Sequence, residues 1–309
     1  MAMVSEAVSY NVVAAAEALV PQIRAARDEI ERERRLPDDL VQAMAQAGLF
    51  QLHLPRSMGG PECDPLTAFR AIETLSAAEG AVGWCAMISS VIALFVSRVS
   101  TEVAANMLGQ PPDLRMAGSV RPEGETRAVD GGYRVRGRWN FASGINHANW
   151  LFCSCKVMEA NGPQLTPEGL PVVRVLLVPK ADVTMIDTWS VVGMRGTGSH
   201  DFVVDDVFVP QERTFTLLDP VPESDILYHP RMIMVSSGTT TSGTALGLAR
   251  GAIDTFCAMA ADTASTMSTS PLRDRALVQT RVAEAEAIVS GARAYIMSAV
   301  RAAWEAVES

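Results

Sequence analysis

Several clusters in this 309-residue sequence have residue types and spacings that could do chemistry. Trp139-Asn140-Phe141-Ala142-Ser143-Gly144 puts two aromatic rings and a hydroxyl at the end of a strand-like run. Such a cluster could line a site for a planar aromatic ligand, although aromatic residues at strand positions also build ordinary cores. Gly193-Met194-Arg195-Gly196-Thr197-Gly198 is a glycine-rich loop. A dinucleotide-binding loop must lead into a helix whose N-terminus receives the phosphates. This one leads into Phe202-Val203-Val204, a strand pattern, and no Lys follows the glycines as a P-loop would need. A tight β-turn is the plainer reading. Ser143 and His147 stand four apart, but no nucleophile-elbow pattern surrounds Ser143. Cys153 and Cys155 alternate along one strand and so share a face. Zinc would need two more ligands, and His53, His147, His200 and His229 have no metal-like spacing. The thiols therefore read as structural, with no metal site.

The elements that must position these residues fall into blocks. Tyr10 to Arg35 carries Val13, Ala16, Leu19, Ile23, Ala26 and Ile30 at helical spacing, with Pro21 as the expected kink. Pro37-Asp38 opens a second helix and Gly48 closes it. Pro55 to Pro65 is a loop by its Gly and Pro content, and Asp64-Pro65 caps a helix running to about Ala78. Gly80 to Ser97 has no charged residue and reaches the lower edge of a membrane span. Its three Ser, two Gly and central Trp84 favour a buried core helix instead. A short helix follows from Ser100.

The period then changes. Thr126–Val129, Asp130-Gly131-Gly132 and Tyr133–Gly137 read as strand, turn and strand. Further strands are expected at 150–157, 172–178, 183–186 and 202–209, with a loop over 161–171. From Arg231 the chain is helical again, first rich in small residues, then Ala-rich and amphipathic to the end. Segregated blocks argue for an α+β fold rather than alternating α/β. The expected domains are 1–111 (helical), 112–212 (β) and 213–309 (helical bundle).

Composition bounds the function. The net charge of −9 argues against a nucleic-acid footprint, and no basic run suggests a membrane surface. Five Cys are too few and odd in number for a disulfide scaffold. With no charged-then-apolar leader pattern, a cytoplasmic protein is expected.

Taken in order, these motifs resemble the acyl-CoA dehydrogenase superfamily, and within it the two-component flavin-dependent monooxygenases (group D hydroxylases). The resemblance rests on Leu36-Pro37, Ala47-Gly48-Leu49-Phe50, Met58-Gly59-Gly60-Pro61, Gly83-Trp84 and Gly131-Gly132-Tyr133. It continues through Gly137–Gly144, Trp189, Gly193–Asp201, Val204-Asp205-Asp206-Val207-Phe208-Val209-Pro210 and Val278–Glu284. It implies an N-terminal helical domain, a central β-barrel-like domain and a C-terminal helical bundle, with a flavin between the β-domain and the bundle, in a homotetramer. Trp84, Trp139, Phe141, Ser143 and Trp189 would line the flavin ring, and Thr197, Gly198 and Ser199 would support it. Ser143 would be the catalytic hydroxyl near the flavin, and Ser119 would approach the substrate.

The resemblance also implies reduced FMN or FAD from a separate reductase, O2 carried as a flavin C4a-hydroperoxide, and hydroxylation of a small aromatic or polyketide-like compound. The alternatives are an FAD-dependent acyl-CoA dehydrogenase and a non-catalytic binding or assembly subunit. A dehydrogenase needs a carboxylate base. The resemblance implies it either on the first bundle helix, where Arg231 to Ile253 holds no Asp or Glu, or near a C-terminus that this chain does not include. The related monooxygenases carry a His beyond the position of Ser309, and neither His200 nor His229 matches it. The bundle is therefore expected to be truncated.

Overall fold

The computed structural model describes residues 10–109, 112–217, 219, 226–263 and 271–308. The α+β order holds: helices, then strands, then helices. The first block is α1 (Val12–Ala25), α2 (Arg27–Glu33), α3 (Asp38–Gln46), α4 (Pro65–Ala78), α5 (Gly80–Val96) and α6 (Thr101–Leu108). The capping signals act as read. Asp64 Oδ1 accepts from the amides of Leu66 and Thr67, and Ser100 Oγ accepts from that of Val103. The first helix runs through Pro21 and breaks instead at Ala26, whose amide is shared between Gln22 and Ile23 carbonyls. A last turn tightened in this way ends α1 before α2 begins at Arg27.

Helix α5 is the buried helix expected of its composition. Neighbours cover it on most sides, and its half-exposed positions include Trp84 and Ile88, one turn apart. Among the described residues no helix is long and apolar enough to cross a membrane.

The middle block is one mixed sheet. Its strands are β1 (Met116–Val129), β2 (Gly132–Ala142), β3 (Trp150–Glu159), β4 (Gly162–Pro163), β5 (Val173–Pro179), β6 (Thr184–Ile186), β7 (His200–Pro210) and β8 (Thr214–Phe215). The order is β6-β7-β2-β1-β3-β5-β8, with β4 paired to β3. β1 and β2 form the expected hairpin, with Val129 opposite Gly132 and Gly131 at φ +74°. The first ten residues of β1 carry no strand pattern in sequence, because Gly118, Pro122 and Gly124 break the alternation. That stretch pairs parallel to β3, with a register shift between Ser119 and Gly124.

Alternation in β3 and β5 explains their near-continuous apolar runs. Phe152, Val175 and Leu177 face α5 and α6, while Leu151, Cys153, Cys155, Leu176 and Val178 face a second core with Trp139 and Phe202. Cys153 and Cys155 thus share a buried face, and burial pushes both thiols up from their usual range.

The last block is α7 (Pro230–Asp262) and α8 (Ala276–Glu308). The small residues of α7 have a packing cause. Gly243, Gly247 and Gly251 form one stripe against α4, where a Cβ would stand 2.9, 2.4 and 2.6 Å from the carbonyl oxygens of Phe69, Glu73 and Ala77. Only Gly permits this approach, and it brings the neighbouring face of α7 toward α5 and the sheet.

Candidate functional site

Where α5, the end of β2, the turn after Trp189 and α7 meet, a cavity of about 530 Å³ opens. Its walls are Trp84 and Ile88 from α5, Phe141 and Ser143 from β2 and its exit, and Trp189, Met194, Thr197 and Ser199 from the glycine-rich turn. Thr241, Thr244, Ala245 and Leu248 close it from α7. Every one of these side chains is uncharged.

A bulge aims the β2 residues. Trp139 pairs with Phe202 and Ala142 with His200, so two residues of β2 stand opposite Asp201 alone. Strict alternation would send Trp139 and Phe141 to the same face. The bulge, with Phe141 at φ +59°, separates them. Phe141 turns to the cavity and meets Trp189 edge-on, with ring centroids 6.2 Å apart.

Trp139 stays in the β core and is not among the wall residues. It is fully buried, stacked on Phe202 at 5.0 Å, and donates from Nε1 to the Ser154 carbonyl at 3.0 Å. Ser119 stands apart likewise. It lies on β1 outside the cavity walls, and its hydroxyl accepts from the Arg121 amide at the irregularity. Gly198 does not line the wall either. At φ +49°, with a hypothetical Cβ 2.1 Å from Asn146 Nδ2, it shapes the turn that presents Thr197 and Ser199.

Trp84, Phe141, Ser143, Trp189, Thr197 and Ser199 do come together. Four of them form a hydrogen-bonded chain. Trp84 Nε1 donates to Ser143 Oγ at 2.9 Å, Ser143 and Ser199 hydroxyls are 2.7 Å apart, Ser199 and Thr197 hydroxyls are 2.7 Å apart, and Thr197 donates to the Met194 carbonyl at 2.9 Å. Ser143 is therefore not paired with His147. That ring packs on Phe50 at 5.1 Å, and burial lowers its pKa to about 3. A Ser–His nucleophile is not assembled.

Trp189 is held by residues the sequence did not flag. Its amide and that of Thr188 donate to His200 Nδ1 at 3.2 Å each, its carbonyl accepts from Arg34 at 2.8 Å, and its indole donates to the Met194 carbonyl at 3.1 Å. Arg34 also grips Asp187 with both terminal nitrogens. Its hydrogen bond to Asp187 raises the guanidinium pKa and lowers that of the carboxyl. Burial lowers the His200 pKa, which suits a neutral ring accepting at Nδ1. The α7 wall was also missed. Its signal was the spacing of Thr241, Thr244, Ala245 and Leu248 on one helix face.

The cavity suits a flavin ring. Trp84, Phe141 and Trp189 offer flat apolar surface, and the hydroxyl chain offers a polar edge. On α7, Ser237, Thr239, Thr240, Thr241 and Ser242 all donate back to carbonyls of the preceding turn. Thr244 is among the cavity's wall residues, and its hydroxyl, like that of Ser236 on the same helix, is buried without a hydrogen-bond partner. Among the described residues, no cluster of three or more His, Cys, Asp or Glu could hold a metal.

Comparison with known proteins decides the family. Residues 10–106 match the N-terminal domain of acyl-CoA dehydrogenase and residues 239–309 its C-terminal domain. Indole-3-acetate monooxygenase of Pseudomonas putida is 32% identical over 94% of this chain and 73% of its own length. The chain belongs to the acyl-CoA dehydrogenase family. Other members close to it are monooxygenases as well. The oxygenase subunit HsaA of a Mycobacterium tuberculosis flavin-dependent monooxygenase is 38% identical over 69% of this chain. The chain spans 52% of that relative, about half its length. XiaF from Streptomyces, solved with FADH2 and glycerol, superposes with a TM-score of 0.84 at 26% identity, over 96% of this chain and 75% of its own. The acyl-CoA dehydrogenase fold thus accounts for the helix–sheet–helix order and for a flavin as the cofactor.

Proposed function

We propose that this chain is the oxygenase component of a two-component flavin-dependent monooxygenase. It receives reduced FMN or FAD from a separate reductase and hydroxylates a small aromatic or polyketide-like compound with O2. The observation that carries this reading is the uncharged cavity joining the Trp84–Ser143–Ser199–Thr197 chain to a carboxylate-free α7 wall. When bound, the flavin supplies the two electrons that let one atom of O2 enter the substrate and the other leave as water.

The protein's own residues do the rest. Trp84, Phe141 and Trp189 would hold the ring's flat surfaces and exclude water. Ser143, Ser199 and Thr197 would meet its polar edge. Thr244 and Thr241 would face the substrate, and with no cation in the wall the substrate portion inside is neutral. An acyl-CoA dehydrogenase would need a carboxylate to take the α-proton, and none of the residues lining the cavity is one.

The same reading carries the domain division 1–111, 112–212 and 213–309, supported by the order of helices and strands, and a homotetramer, which mass measurement in solution tests. The function is tested by anaerobic loading with reduced flavin, followed by ¹⁸O2 and a panel of neutral phenols, indoles and acyl-CoAs. The expected result is a product carrying one ¹⁸O from a ring compound. Desaturation of an acyl-CoA, or peroxide alone with every compound, overturns the reading.

A further inference from the structure

The segment that carries Trp189 into the cavity is held from two sides. On one side Arg34, just past the end of α2, donates to the Trp189 carbonyl at 2.8 Å and to the two Asp187 carboxylate oxygens at 2.8 and 2.7 Å. On the other side the amides of Thr188 and Trp189 both donate to His200 Nδ1 at 3.2 Å. His200 opens β7 and is 4% exposed. An imidazole nitrogen accepts only while it carries no proton. The two halves of the clamp therefore differ in kind. Arg34 donates at every pH, whereas His200 accepts only as a neutral ring with its proton on Nε2.

A third group stands at the same nitrogen. Asp187 Oδ1 lies 3.2 Å from His200 Nδ1. A proton on Nδ1 turns that nitrogen into a donor, and the Asp187 carboxylate can accept it. The two amides then face an N–H and lose their acceptor. The charges around the ring pull both ways. Asp187 and Asp201, the latter beside it on β7, draw the proton on. Arg34, Lys180 from the turn after β5, and burial keep it off. Burial is the largest of these influences, so the ring gives up its proton more readily than an ordinary histidine.

We propose that His200 is the positioning residue of the Trp189 wall: as a neutral ring it holds the Thr188–Trp189 backbone in place, and on taking a proton at Nδ1 it passes to Asp187 and releases the wall. His200 is not itself in the wall. It acts through Trp189, whose ring meets Phe141 edge-on across the cavity. The wall loosens as pH falls, not as it rises, because the holding form is the unprotonated one. The consequence for flavin affinity rests on the reading that a flavin fills the cavity.

Two readouts test it, and the first needs no flavin. The imidazoles are followed by ¹⁵N NMR from about pH 8 to about pH 5, together with Trp189 emission, taken as wild type minus Trp189→Phe. The His200 signal is the one missing in His200→Gln. At the upper end the ring should carry its proton on Nε2 alone. It should gain the Nδ1 proton with a midpoint below 6.5, and Trp189 emission should change at that same midpoint. Asp187→Asn removes a charge that attracts the proton and should move both midpoints down together. The second readout is titration with oxidised FAD, whose ring has no group titrating in this range. Wild-type affinity should fall about fivefold from the upper end to the lower, the size of one neutral hydrogen bond. His200→Gln offers the amides a carbonyl oxygen and takes up no proton, so its affinity should stay level. An Nδ1 proton already present at the upper end, emission that ignores the His200 midpoint, or the same pH dependence in His200→Gln overturns the proposal and leaves the flavin reading intact. Failure to bind FAD or FADH2 at any pH overturns the flavin reading, and the NMR and emission titrations then decide the proposal on their own.

Discussion

Adding one methyl group to α7 tests the helix crossing that shapes the cavity. A Cβ at Gly247 would stand 2.4 Å from the Glu73 carbonyl oxygen and 2.6 Å from Ser76 Cβ. Ordinary contact needs about 3.5 Å, so α7 must move about 1 Å away from α4. Both obstacles belong to the body of α4 and cannot rotate aside. Overpacking of this kind costs about 1–3 kcal/mol. Helix propensity pulls the other way, since Ala in place of a helical Gly gains about 1 kcal/mol. Gly247→Ala is therefore expected to lower stability by up to about 2 kcal/mol, and to weaken flavin binding because Thr244, Ala245 and Leu248 move with the helix. Gly291, on α8, has nothing within 4 Å of a hypothetical Cβ. Gly291→Ala should then show the propensity gain alone and stabilise by about 1 kcal/mol. Urea melts of the two variants, with flavin titration of each, are the assay. If both substitutions stabilise, the close crossing of α4 and α7 is wrong.

Three further outcomes follow from buried or bridging groups. His53 is buried, and burial lowers its pKa from 6.5 to about 4, so the unfolded chain takes the proton first as pH falls. Stability present above pH 6.5 should be lost toward pH 4, by about 3 kcal/mol at pH 4.5, in urea melts of wild type, and His53→Gln should not show that component of the loss. Arg34→Gln releases Asp187 and the Trp189 carbonyl together and should weaken flavin binding while shifting Trp189 emission; unchanged affinity would mean that the clamp does not position the wall. Trp139→Phe removes the bond to the Ser154 carbonyl and should cost about 1–3 kcal/mol of stability with flavin affinity unaltered, and a loss of affinity without loss of stability would return Trp139 to the site.

The fold was legible where short-range physics decides it. Asp64-Pro65 and Ser100 state where helices begin, Asp130-Gly131 states a hairpin, and the uncharged stretch from Gly80 states a buried helix. Pro21 does not end its helix; the break falls at Ala26, where α1 meets α2. The site was legible as a set of residue types but not as a geometry. A bulge no residue announces separates Trp139 from Phe141. Arg34 reaches Trp189 across 155 positions, a distance over which local pattern carries no signal. The small residues of α7 were visible, but their meaning, a stripe of Gly against α4 beside a threonine face on the cavity, needed the partner helix.

The central claim is that a flavin ring occupies the cavity between Trp84, Phe141 and Trp189. A crystal structure of the chain grown anaerobically with reduced flavin tests it most directly. The account predicts density for the ring in that cavity, with its polar edge against Ser143, Ser199 and Thr197. Density elsewhere would contradict it, for instance in the polar pocket bounded by Asn11, Arg56, Glu62 and Asp64, with the Trp84–Trp189 cavity left empty.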